Sequence, residues 1–203
     1  MNHPTVVRAP ACRRALRRFA GMASSAALLV VLVSVAHGAE TPADLSPEAR
    51  DALRLIQSNE PYQRQTGFLQ LEALRQPETA QAVRPYLDSK DPDMRAWTVR
   101  ALAAVERQQA IPMLVDRLQN DPHETVRLAA LLALEPFDNP AVAPALLRAL
   151  HDRHPHVRMA AVDAVSRLNG PRAKEAIVIR WRRERNRDVR RVIYLAMKRI
   201  GAL

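Results

Sequence analysis

The chain has a single cysteine, Cys12, and aromatic residues make up only 4% of its 203 positions. One thiol excludes an internal disulfide framework, and so few rings leave the core to Leu, Val, Ile and Ala. Glycine is also scarce, at 5 residues, and runs of β-branched residues are few, which argues against sheets. Abundant Ala, Leu, Arg and Glu favour close-packed helices instead. No nucleophile motif, glycine-rich phosphate loop or paired-carboxylate pattern is present, so catalysis is not the expected function.

Acidic residues are absent from the first 39 positions, which contain Arg8, Arg13, Arg14, Arg17 and Arg18. An uncharged stretch, Ala26 to Ala36, follows, then Ala36 and Gly38 at the −3 and −1 positions of a cleavage after Gly38, with cleavage after Ala36 as the alternative. Residues 1–39 therefore read as an export signal. The alternative is a retained anchor, because Phe19 to Ala39 is 21 residues without a formal charge and about 20 residues span a bilayer. In both readings the arginines hold the N-terminus in the cytoplasm. The remainder, 40–203, is then periplasmic, or tethered to the outer face of the inner membrane.

The net charge of +10 is unevenly spread. Residues 40–166 hold 14 basic and 18 acidic side chains, whereas 167–203 hold 12 basic and 3 acidic ones. A negative middle and a basic end do not form the continuous basic stripe that nucleic acid requires, so no nucleic-acid partner is expected.

A fixed period runs through the chain. Arg64, Arg95, Arg127, Arg158 and Arg190 are separated by 31, 32, 31 and 32 residues, each followed by small and branched residues at helical spacing. Asp91-Pro92 and Asp121-Pro122 read as starts of such helices, with Asp as N-cap and Pro in the first turn. A second helix per unit is carried by AIPMLVDRL and AVAPALLRAL, where Pro112 and Pro144 fall in a first turn whose amides lack intrahelical partners. Pro85 predicts a kink or a short helix. Ser46-Pro47-Glu48 caps an opening helix ending near Ile56, and a final first helix covers roughly Arg187 to Ile200.

These units, with D-P-x-x-(V/M)-R-x-x-A followed by A-x-x-P-x-L, resemble the PBS-lyase HEAT-like repeat family over about residues 46–203. The resemblance implies an all-α fold, a right-handed armadillo/HEAT-type solenoid of about ten helices in hairpins. It implies no single activity, since that family holds bilin-attaching lyases, a hydroxylase with metal-binding His-Glu pairs and plain scaffolds.

The repeated arginines are expected to fix repeat stacking by pairing with the turn acids Asp91, Asp121 and Asp152. His151, His154 and His156 are the one metal-like cluster, in a turn with no cysteine partner and no sign of an outer hydrogen-bonding shell, so no metal site and no cofactor are expected. His123-Glu124 is a lone pair, too few for a di-iron centre. Arg180, Trp181, Arg182, Arg183, Arg185 and Arg187 form the strongest functional asymmetry and read as a protein-docking surface, tryptophan and arginine being enriched at binding hot spots. The same patch suits an anionic lipid surface. Two residues before the closing apolar position of the second helices stand Arg54, Pro85, Asp116, Arg148 and Ile179, a variable set on a fixed scaffold. The expected function is an exported, non-enzymatic adaptor with an unidentified protein partner; a lyase or cofactor-handling subunit, or an adaptor at a lipid surface, are the alternatives.

Overall fold

The computed structural model describes residues 45–168 and 170–203, all within one compact unit spanning Asp44–Leu203. The export segment and its cleavage or anchoring, predicted over 1–39, lie outside the described residues. Among the described residues no helix is long and apolar enough to cross a membrane, and there is no strand.

Helices alternate in two rows. The first-helix row is α2 (Pro61–Leu74), α4 (Pro92–Glu106), α6 (Glu124–Leu134), α8 (Pro155–Arg167) and α10 (Arg187–Arg199). The second-helix row is α1 (Pro47–Ile56), α3 (Thr79–Val83), α5 (Ile111–Asn120), α7 (Val142–Ala149) and α9 (Pro171–Arg183). Along the first row, α2 packs on α4, α4 on α6, α6 on α8 and α8 on α10. The architecture is an α-solenoid, in which each unit buries its apolar face only against its neighbours.

Local chemistry explains where the helices begin. Ser46 accepts a hydrogen bond from the Ala49 amide at 3.1 Å and Pro47 occupies the first turn of α1. Asp91 accepts from the Asp93 amide at the start of α4, and Asn186 from Asp188 and Val189 at the start of α10. Pro85 shortens its unit: α3 is five residues long and passes into a 3-10 turn, Arg84–Asp88. Asp121-Pro122 does not start α6 as the sequence suggests. That helix begins at Glu124, capped by the His123 side chain, three residues before Arg127 as each first helix begins three residues before its arginine.

The first helices carry most of the core. The position four residues after the repeated arginine is Phe68, Val99, Leu131 and Val162, each at most 2% exposed, and the position seven after is Leu71, Leu102, Leu134 and Val165, all fully buried. Burying one such side chain is worth about 1.5–3 kcal/mol. Gly67 allows the closest approach. A Cβ built there would stand 2.6 Å from the Ala52 carbonyl oxygen and 2.9 Å from the Ile56 amide nitrogen, so α1 lies directly against the α2 backbone.

Candidate functional site: a filled arginine ladder and an exposed basic end

Each repeated arginine sits in the first turn of its helix, which aims the guanidinium back over the preceding turn. There Nη1 donates to two carbonyls: Arg64 to Ser58 and Asn59, Arg95 to Ser89 and Lys90, Arg127 to Asp121 and Pro122, Arg158 to Asp152 and Arg153. The other two nitrogens reach forward to the next unit. Arg95 donates from Nε and Nη2 to Asp121, both at 3.0 Å; Arg127 to Asp152 at 2.7 and 2.9 Å; Arg158 to Glu184 at 2.8 and 3.0 Å. These are planar, two-pronged, charge-assisted pairs.

The receiving carboxylates occupy one register position, six residues before the next arginine. Asp121 precedes Arg127, Asp152 precedes Arg158 and Glu184 precedes Arg190 by that interval. Each also accepts the amide two residues on, from His123, His154 and Asn186. In the first unit the position holds Ser89, so Arg64 reaches past it to Asp91 at a single 3.7 Å contact, and its buried Nε has no hydrogen-bond partner among the described residues. Asp91 lies four residues before Arg95, out of register with the other acids.

Glu184 is the most heavily satisfied of the set. Arg158, Arg180 and the amides of Arg185 and Asn186 all donate to it, and it is 4% exposed. Burial disfavours its charged form, but the hydrogen bonds from Arg158, Asn186 and Arg180 outweigh that and bring its pKa down to about 2. For Asp121 and Asp152 burial likewise opposes ionisation, and hydrogen bonds from Arg95 and Arg127 and from the backbone lower both pKa values. With their donors committed, Arg95, Arg127 and Arg158 have no free fork for an incoming anion.

The predicted docking residues divide. Arg180 turns inward to Glu184, with Nη2 2.6 Å from Oε2. Trp181 is half-buried against the core, at the place Leu118 and Leu150 hold in earlier units, and the Arg190 guanidinium stacks 4.0 Å from its ring centroid. Arg182, Arg183, Arg185 and Arg187 are exposed and make no ion pair among the described residues. On the second helices, Arg54, Pro85, Asp116, Arg148 and Ile179 are all exposed. A cleft of about 520 Å³ opens between the C-terminal ends of α5 and α7, lined by Leu118, Ala145, Arg148, His151 and the Arg127–Asp152 pair.

The histidines do not converge. His154 and His156 rings meet edge to face at 5.1 Å, and partial burial together with Arg180 and Arg183 lowers the pKa of His151. Among the described residues no three metal-ligating side chains come together. His123 hydrogen-bonds Thr125 at 2.8 Å, and Glu124 stands in the first turn of α6 beside it.

Glu184 is the residue that sequence reasoning missed. Its signal was its interval to Arg190, which repeats that of Asp121 to Arg127 and of Asp152 to Arg158, and the change from Asp to Glu hid it.

A family model described as HEAT repeats matches residues 50–135 and 114–198. No curated protein matches the chain. Among solved structures, the chain is similar to one in the complex of CpcE and CpcF of phycocyanin lyase from Nostoc sp. PCC7120, with a TM-score of 0.57 and 23% identity over 73% of this chain and 97% of that one. A designed armadillo repeat protein in complex with the peptide (KR)4 gives a TM-score of 0.49 and 15% identity over 84% of this chain and 85% of that one. At 23% identity the likeness to the first of these is one of fold.

Proposed function

The chain belongs to the HEAT-repeat family, and from that premise we propose that it is an exported, non-catalytic adaptor that binds a protein partner through its second-helix face and its basic C-terminal end. The D-P-x-x-(V/M)-R units support the finer placement in the PBS-lyase HEAT-like branch. Export rests on the arginine-led apolar segment in residues 1–39 and puts the repeats in the periplasm.

One observation carries the reading: the three central repeated arginines are consumed in stacking, while the polar groups that vary face solvent. Arg95, Arg127 and Arg158 are satisfied within the fold, and Arg182, Arg183, Arg185 and Arg187 are exposed at one end. A rigid scaffold presenting exposed arginines around a half-buried tryptophan suits a hot-spot interface. At the second-helix positions Arg54, Asp116, Arg148 and Ile179 differ in charge and polarity and all face solvent, while Pro85 shortens the helix of its own unit.

The test is a pull-down from the exported fraction with the parent chain and a variant in which Arg182, Arg183, Arg185 and Arg187 are changed to Ala. Arg180 is left in place because it holds Glu184. One protein captured by the parent and lost by the variant supports a docking site at the C-terminal end. Equal capture moves the site to the second-helix face. Turnover by the pure protein, or a chromophore bound in stoichiometric amount on purification, overturns the adaptor in favour of an enzyme subunit.

A further inference from the structure

The ladder has an open fork at Arg190. Like its predecessors, Arg190 is anchored through Nη1, which donates to the carbonyls of Glu184 at 3.1 Å and Trp181 at 3.3 Å. In Arg95, Arg127 and Arg158 the remaining Nε and Nη2 grip a carboxylate. Among the described residues Arg190 has none. We propose that this fork receives a carboxylate from a partner protein, an Asp or Glu in an acidic segment that docks against the exposed side of α10. The inference rests on the adaptor reading and names the chemical class of its partner.

Three features favour that occupant. First, the guanidinium is held by two carbonyls and by stacking 4.0 Å from the Trp181 ring centroid, so its ordering cost is met before a ligand arrives. Second, the adjoining surface carries an aromatic ring where the earlier units are covered. The position four after the arginine is buried in the earlier units, whereas its counterpart Tyr194 is 48% exposed; Leu195 beside it is exposed like Leu69 and Leu132 at the same place in their units. Third, the exposed arginines Arg187 and Arg191 flank the fork in sequence, within a segment of 12 basic and 3 acidic residues. That field attracts an acidic segment and repels a basic one.

A second copy of the chain is a poorer fit. Stacked head to tail, it would bring Ser58, the residue six before Arg64, to the place where Arg190 needs a carboxylate. Phosphate groups match a guanidinium fork too, but the occupants of this register within the molecule are carboxylates, and Tyr194 with Leu195 offers a surface for protein side chains.

The experiment titrates the full chain, Arg190→Lys and Arg75→Lys, a change at an exposed arginine after α2, with a fluorescein-labelled oligoglutamate peptide, read by anisotropy. Lysine keeps the charge and removes the fork. The expected result is binding that weakens about tenfold or more in R190K and less than twofold in R75K. No binding to the parent, equal weakening in the two variants, or no weakening in R190K overturns the proposal. Displacement of the peptide by inorganic polyphosphate at equal or lower charge concentration also overturns it, by assigning the fork to phosphate. A second measurement needs no variant: the Nε–H resonance of Arg190 shifts on peptide addition, and an unmoved resonance overturns the assignment. A partner captured equally by the parent and R190K leaves the adaptor standing while removing Arg190 from its site.

Discussion

Changing Glu184 to Gln removes the charge that two arginines share in the last ladder pair. Arg158 and Arg180 would be left facing an amide whose NH2 cannot accept from them, and breaking a buried ion pair by losing one partner costs about 3–5 kcal/mol. The carboxyl pKa gives a second route to the magnitude. A fall from 4.5 to about 2, at about 1.4 kcal/mol per unit, corresponds to about 3 kcal/mol at neutral pH. The two routes agree. With a urea dependence of about 2 kcal/mol per molar for a domain of this size, the unfolding midpoint should drop by about 1.5 M, read by circular dichroism at pH 7. The folded pKa lies below the unfolded one, so this stabilisation is complete above pH 4.5 and is lost as pH falls towards 2. The gap between parent and E184Q should therefore narrow across that window. A midpoint shift under about 0.5 M at pH 7, or a gap that widens on acidification, refutes the reasoning.

Arg127→Ala should cost about 3–5 kcal/mol for the same reason, while Arg64→Ala, whose ion pair is 3.7 Å long and whose Asp91 side chain is 40% exposed, should cost no more than about a third as much in the same urea titration. Ser89→Asp puts a carboxylate at the register position that the first unit lacks and within the reach of Arg64; it should raise stability by about 1 kcal/mol, and an unchanged or lowered midpoint would show that register alone does not set the pair. Gly67→Ala drives a methyl against the backbone of α1 at Ala52 and Ile56 and should destabilise by about 1–3 kcal/mol, seen as a lower thermal midpoint; a neutral outcome would mean that α1 detaches at little cost.

The arginine period was legible in the sequence because repeat stacking constrains the same atoms in every unit. Asp121 and Asp152 could be named for the same reason. Asp91 was named on residue type alone, and its displacement by two positions explains why its contact with Arg64 is long. Glu184 was hidden by the extra methylene that carries its carboxylate to the same place. The start of α6 was misread because Asp121-Pro122 looks like Asp91-Pro92 but stands in another register: each first helix begins three residues before its arginine, which puts Asp91 at the cap of α4 and Asp121 two residues ahead of the cap of α6. Sequence could not separate Arg180 from Arg182 and Arg183 either. The three are neighbours in a basic run, and only helical geometry shows that Arg180 lies four residues before Glu184 on the inner face. Pro85, by contrast, acted through its missing amide, a local effect that composition and position reveal directly.

A division of labour between the filled ladder as scaffold and the exposed basic end as recognition surface should be visible by hydrogen exchange on the chain bound to its captured partner. Protection should be added in α9 and α10 and along the second-helix face around Asp116 and Arg148, with the ladder turns already protected in the free protein. Protection gained instead on the outer faces of α2 and α6, around Leu69 and Leu132, with α9 and α10 unchanged, would contradict it.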